Sequence, residues 1–284
     1  MTGGPRAWLR RRLIDWLNRE REPPARPLDD FERLCDEIRP CDVLLVEGRS
    51  PVSNIIKTVT QSPWSHTALY LGRLRDIRVT AVRQKAAAHT PLDDDTPLVA
   101  EAILGKGTIL EPLEKYQGHR LRLCRPRGLA ARDRQRVLAY VVDRLGTDYD
   151  VRQMFDLARF LLPYGVLPRR WRSSLFARNA GAETRTVCST LLAEAFQSVR
   201  FPILPVILAD EDGQQRVYHR NTRLFTPQDF DFSPYFEILK FPFHDLQELA
   251  SYHLLPWAED HIVCDDSGQC YTTAAPELDE KRRA

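Results

Sequence analysis

Several familiar protein types are excluded by what this chain has little of. Six cysteines in 284 residues are too sparse for a disulfide scaffold, and their spacings show no paired pattern. No run of about 18 apolar residues offers a membrane-spanning helix. The N-terminus carries no apolar stretch ahead of a small-residue cleavage site. A secretory signal is therefore not expected, and a reducing, cytoplasmic location is the default. Charge excess is missing too: 41 Lys and Arg against 39 Asp and Glu leave a net charge of +2, no global case for nucleic acid. Glycine-rich phosphate loops and internal repeats are absent, and no cofactor or metal is expected. What is present is a 43% hydrophobic composition, enough to bury one large core or two modest ones.

The basic charge is local. Residues 6–21 read as an amphipathic helix in which Trp8, Leu9, Leu13, Trp16 and Leu17 form a stripe beside Arg10, Arg11, Arg12, Arg19 and Arg21. Two readings stand: a helix docked on the protein's own body, or one lying at an anionic membrane surface, where Trp and Arg meet headgroups. Residues 1–30 are thus an N-terminal helix and a proline-containing linker. A folded domain is expected over 31–264, followed by a polar tail over 265–284. Within the domain, Val151 to Thr186 interleaves aromatic residues with seven Arg against two acids. This insertion suits a lid or groove for an acyl chain beside an anionic headgroup. An ordinary helix pair with a basic edge is the plainer alternative.

Periodicity supplies the elements. Asp42 to Val46 and Ser65 to Leu71 are predicted strands, and between them Ser50 and Pro51 start a helix as cap and first residue. Arg73 to Thr96 is polar and irregular, and its Asp93–Asp95 run reads as a solvated loop. Strands are predicted at Leu98–Ile103, Leu121–Cys124 and Phe236–Phe241, and helices at Ala131–Leu145 (stopped by Gly146) and Met154–Leu162. Loops are expected between the Cys188 helix and the last strand.

The most informative stretch is Thr186-Val187-Cys188-Ser189-Thr190-Leu191-Leu192. Its apolar residues recur at helical spacing, which puts Cys188 in the first turn. A thiol there lies among outward-pointing amide N–H groups at the positive end of the helix dipole, and thiolate becomes easier to form. A thiol nucleophile needs a base, and the base needs an orienting acceptor. His66 occupies a strand position that shares a face with Ala68 and Tyr70. Glu101 lies inside the next strand with apolar neighbours on both sides. If the two strands pair antiparallel, His66 and Glu101 sit side by side on one face, over the start of the Cys188 helix.

Five short motifs in an unusual order, histidine before cysteine, resemble a known family. Ser50-x-x-Ser53-x-x-Ile56-Lys57 with Ser62-Pro63-Trp64-Ser65-His66 is similar to the opening of the circularly permuted NlpC-type papain-like hydrolases, the YiiX/YaeF group. Glu101-Ala102-Ile103-Leu104-Gly105 with Pro112-Leu113, Gly146-Thr147-Asp148-Tyr149-Asp150, Val187-Cys188-Ser189 and Thr226-Pro227-Gln228-Asp229-Phe230 follow. The likeness implies an α+β, circularly permuted papain-like fold with an antiparallel sheet packed against the nucleophile helix. It implies Cys188 as nucleophile, His66 as base and acid, and Glu101 as the residue orienting His66.

The implied chemistry is acyl transfer through a thioester, with backbone N–H groups at the helix start as oxyanion donors. Gln61, Ser62, Tyr70, Tyr149 and Ser189 are candidates for substrate or oxyanion contacts. Gln61 and Ser62 read more readily as helix-end residues, and Tyr149 with Asp150 as a turn. A more distant likeness to the lecithin:retinol acyltransferase group adds lipid esters to peptide and small-molecule acyl substrates. Hydrolysis and acyl transfer both remain open, and so does a non-catalytic binder of acylated ligands on the same fold. No nucleic-acid partner is expected. His261, Cys264 and Cys270 have no fourth ligand at a spacing that zinc would need.

Overall fold

Alternating apolar residues and well-placed caps build a six-stranded antiparallel sheet in the order β4-β3-β2-β1-β5-β8. Its strands are β1 (Val43–Glu47), β2 (His66–Gly72), β3 (Leu98–Ile103), β4 (Gly107–Pro112), β5 (Arg120–Pro126) and β8 (Phe236–Leu239). The computed structural model describes residues 8, 12, 14–21, 31–103, 105–147, 188–209, 214–239, 262–264 and 269–272. The helices among them are α1 (Phe31–Glu37), α2 (Pro51–Thr60), α3 (Thr80–Ala87), α4 (Ala131–Asp143), α5 (Cys188–Gln197) and α6 (Gln228–Phe232). Helices and antiparallel sheet together make the α+β class expected from the sequence.

Period-two alternation gives the sheet two buried faces. One carries Val43, Leu45, Leu69, Leu71, Ala100 and Ala102 and is covered by α4 and α5 through Val137, Val141, Leu191, Leu192 and Phe196. The other carries Leu44, Val46, Ala68, Tyr70 and Val99 under Leu34, Leu113 and Tyr116. Helix α5 packs on β2 and β3, which brings its first residue, Cys188, to that part of the sheet.

The loop between β1 and α2 is held tightly. Ser50 caps α2, its side chain accepting from the Ser53 amide, and Pro51 is the first helical residue. A Cβ on Gly48 would collide with the Ser53 side chain and crowd the Ser65 hydroxyl, so only glycine fits there. At the C-terminus of α2, Gln61 takes the left-handed conformation (φ 52°), and its backbone N–H donates to Lys57. Helix α4 ends through Gly146 at φ 80°, the predicted stop.

Four features differ from the sequence reading. Arg73 to Thr96 is not an irregular loop throughout: Thr80–Ala87 is helical, because Ala, Gln, Lys and Arg favour helix even with a weak apolar stripe. Within the acidic run, Asp95 pairs with Arg75 at 2.5 Å. Strand β4 was not anticipated, since Gly107-Thr-Ile-Leu-Glu-Pro112 alternates poorly, yet all six residues pair with β3. The region after α5 contains a hairpin, β6 (Val206–Ala209) with β7 (Gln215–Tyr218), where loops were expected.

The fourth difference concerns the cysteines. Strands β9 (Ile262–Cys264) and β10 (Cys270–Thr272) set Cys264 opposite Cys270. Cys270 is disulfide-bonded, while Cys35, Cys41, Cys124 and Cys188 are free. The Met154–Leu162 helix, Tyr149, Asp150, His261 and the Val151–Thr186 insertion lie outside the described residues.

The N-terminal helix rests on the body. Leu17 is buried in the core, Ile14 packs against it, and Glu20 accepts the Arg49 amide at 2.9 Å. Trp8 and Trp16 stay 59% and 58% exposed. No helix among the described residues is long and apolar enough to cross a membrane.

Candidate active site

His66 is the first residue of β2, and the turn before it is fixed on all sides. The Trp64 indole N–H donates to Asp231 at 3.1 Å, and the Arg122 guanidinium lies 4.9 Å over the same ring while pairing with Asp231 at 2.6 Å. The Ser65 hydroxyl accepts from the Gly48 amide at 2.9 Å, and the Ser62 hydroxyl accepts from the Trp64 amide. The imidazole reaches across to β3.

His66 Nε2 meets Glu101 Oε2 there at 2.6 Å. The carboxylate is sealed, 1% exposed, against 21% for the imidazole. Two further donors complete its shell. Tyr116 OH donates to Oε2 at 2.6 Å and Lys115 Nζ to Oε1 at 2.5 Å. Both belong to a 3-10 turn, Leu113–Tyr116, that directly follows β4. Neither was legible from the sequence; the only signal was two polar residues just past Pro112-Leu113. Burial alone would make the Glu101 carboxyl harder to ionise. The His66 hydrogen bond and charge, with Lys115, outweigh it and hold the group at about 2.

Cys188 lies beside the ring, and the two groups shift each other: His66 favours the thiolate and Cys188 the imidazolium. Thr67, the next residue of β2, turns the opposite way and also favours the thiolate. Its hydroxyl is buried and has no hydrogen-bond partner among the described residues. Burial opposes thiolate formation at Cys188, but His66 and Thr67 prevail and lower the thiol from its ordinary value. Burial also disfavours the His66 imidazolium, and Cys188 and Glu101 together raise it nonetheless. Cys35, Cys41 and Cys124 all move the other way, pushed up chiefly by burial. Among the four described free thiols, Cys188 alone shifts toward thiolate.

His66 and Glu101 share one sheet face, as the sequence reading had it, but the helix of Cys188 packs on the opposite face. Alternation puts His66 and Glu101 with Val46 and Val99, while α5 covers the Leu69 and Ala100 face. The β2–β3 ladder is recorded from Leu69↔Ala100 onward, so it is open beside His66.

The secondary candidates separate. Gln61 is exposed and donates to the Thr58 carbonyl, and Ser62 holds the Trp64 amide; both serve the end of α2. Tyr70 packs in the cluster with Leu34 and Tyr116, four residues and roughly 13 Å along the strand from His66. It does not line this site, because strand alternation seals it beneath α1. The Ser189 hydroxyl donates to the Phe225 carbonyl at 2.6 Å, leaving only its backbone beside the thiol. A groove lined by Gln197, Phe201, Val217 and Tyr218 lies at the far end of α5 and includes none of the three central residues. Among the described residues, no cluster of His, Cys, Asp and Glu could hold a metal ion.

Residues 37–158, which include His66, Glu101, Lys115 and Tyr116, match the family described as permuted papain-like amidase enzyme, YaeF/YiiX, C92 family. No curated protein matches the chain. A crystal structure titled as metalloprotein yiiX from Escherichia coli O157:H7, DUF1105, is similar at 14% identity and a TM-score of 0.43, over 71% of this chain and 96% of that one. Cysteine hydrolase is the general class that the matched family supports. Over residues 37–158, this chain is similar to the permuted papain-like YaeF/YiiX family.

Proposed function

We propose that the protein is a thiol hydrolase that opens an amide bond through a thioester on Cys188, with His66 as base and acid and Glu101 orienting His66. One observation carries the reading. Glu101 holds the His66 ring at 2.6 Å while His66 and Cys188 favour each other's charged forms, the order that nucleophile, base and orienting acceptor require.

The Cys188 thiolate attacks the substrate carbonyl carbon, and the C–N bond breaks as His66 gives its proton to the departing amine. Water then attacks the thioester, His66 takes a proton from it, and the acid leaves while the thiol is restored. Backbone N–H groups in the first turn of α5 point at the developing oxyanion, and one such donor is worth on the order of 3 kcal/mol. An ester or an acceptor other than water would use the same thioester. The amide is preferred because the matched family is described as amidases.

A lipid-linked or acylated substrate fits the exposed Trp8 and Trp16. The Arg12 guanidinium lies 5.2 Å over the Trp8 ring, while Ile14 and Leu17 anchor the same helix to the body. A second reading has its own observation: Cys188 is only 4% exposed, which suits a protein that binds acylated ligands without turnover.

A thiol-directed activity probe separates the two, with exposed Cys35 as the slow thiol in the same molecule. The enzyme reading expects Cys188 to label far faster than Cys35, and His66→Ala to abolish that advantage. Labelling of Cys188 no faster than Cys35 would favour the binder.

A further inference from the structure

The cation beside Glu101 is not required by the three-residue scheme, yet it is placed with care. Lys115 Nζ lies 2.5 Å from Glu101 Oε1, the oxygen that neither His66 nor Tyr116 uses. Its position comes from the 3-10 turn after β4, and its stem passes the Tyr116 ring, with Nζ 5.5 Å from the centroid. The surrounding charges come from every adjoining element. Glu111 of β4 lies 3.8 Å from Lys115, Lys106 sits 4.0 Å from Glu111, His66 comes from β2 and Cys188 from α5. A buried Glu101 carboxylate with no cation would load this pocket with uncompensated negative charge.

We propose that Lys115 is a positioning residue whose ammonium group compensates Glu101 and thereby sets the pH window in which the Cys188 thiolate and His66 imidazolium coexist. The inference rests on the reading of Cys188 and His66 as an ion pair and deepens it. The sign follows from electrostatics. Two proton losses bound the window: the thiol forming thiolate beside imidazolium, and the imidazolium becoming neutral. Each makes the pocket more negative by one charge, so a nearby cation favours both. Removing the cation displaces both steps to higher pH, and removing the Glu101 charge displaces both to lower pH. Lys115 is 32% exposed, so solvent screens it, and a displacement of about half to one pH unit is expected. A purely structural role would lower reactivity without moving both steps in a direction set by charge.

The test is the pH dependence of Cys188 alkylation by iodoacetamide, followed at the Cys188 peptide by mass spectrometry. Wild type, Lys115→Met, Lys115→Arg and Glu101→Gln are compared. Expected are two steps in wild type, both displaced upward in Lys115→Met, unmoved in Lys115→Arg and displaced downward in Glu101→Gln. Should Lys115→Met fail to fold, Lys115→Gln, which keeps a hydrogen bond to Glu101 without the charge, is read in its place. Two wild-type steps that stay put when the charge is removed would overturn the role of Lys115 and leave the ion pair standing. A single wild-type step in the ordinary thiol range would instead remove the ion pair, and this inference with it.

Discussion

His66 and Glu101, 35 residues apart in sequence, meet at 2.6 Å beside the open end of the β2–β3 ladder.

The carboxylate should be felt in stability as well as activity. Glu101 ionises at about 2 when folded and near 4.5 when unfolded, a depressed value. Its contribution is then fully present above pH 4.5 and lost as pH falls through 2, on the order of 3 kcal/mol in all. Thermal unfolding followed from pH 6 to pH 2 is expected to be less steep in Glu101→Gln than in wild type.

Activity should depend on the same group through His66. Glu101→Gln keeps the shape but offers the ring an amide, so turnover of an amide substrate is expected to fall by roughly two to four orders of magnitude. Circular dichroism serves as the check on folding. A variant within tenfold of wild type would deny Glu101 its orienting role.

Ser189 separates backbone from side chain at the oxyanion position. Ser189→Ala leaves the Phe225 carbonyl without its 2.6 Å donor in a buried place, which costs about 1–3 kcal/mol of stability. Because the hydroxyl is turned away from the thiol, kcat at a temperature where the variant is folded should stay within a few-fold of wild type.

Trp64 shapes the turn that delivers His66. It is buried, hydrogen-bonded to Asp231 and covered by Arg122. Trp64→Ala is expected to lower stability by about 3–5 kcal/mol in chemical denaturation.

The membrane proposal has a test that spares the core. Trp8→Ala with Trp16→Ala leaves Ile14 and Leu17 in place, so the helix should stay docked. Co-sedimentation with vesicles containing anionic lipid is expected to drop in the double variant; unchanged binding would take the tryptophans out of the account.

Much of this arrangement was legible in the chain, and the limits were physical. Strand β3 and the start of α2 were marked by apolar alternation and by Ser50-Pro51, signals that belong to a few neighbouring residues. Cys188, His66 and Glu101 could be named because each stands in a residue pattern that chemistry singles out. Lys115 and Tyr116 could not, because their role comes from a turn that folds them back over a neighbouring strand. Strand β4 was missed because pairing with β3, not its own alternation, makes it a strand. The side on which α5 packs was not legible, because residue parity does not say which face a helix covers.

The central claim is best tested by the mass of the protein during turnover. Mixing wild type with a slowly hydrolysed acyl amide and quenching in acid should leave the acyl mass on Cys188, and Cys188→Ala should neither gain that mass nor release amine. Amine release by Cys188→Ala at the wild-type rate would contradict the account.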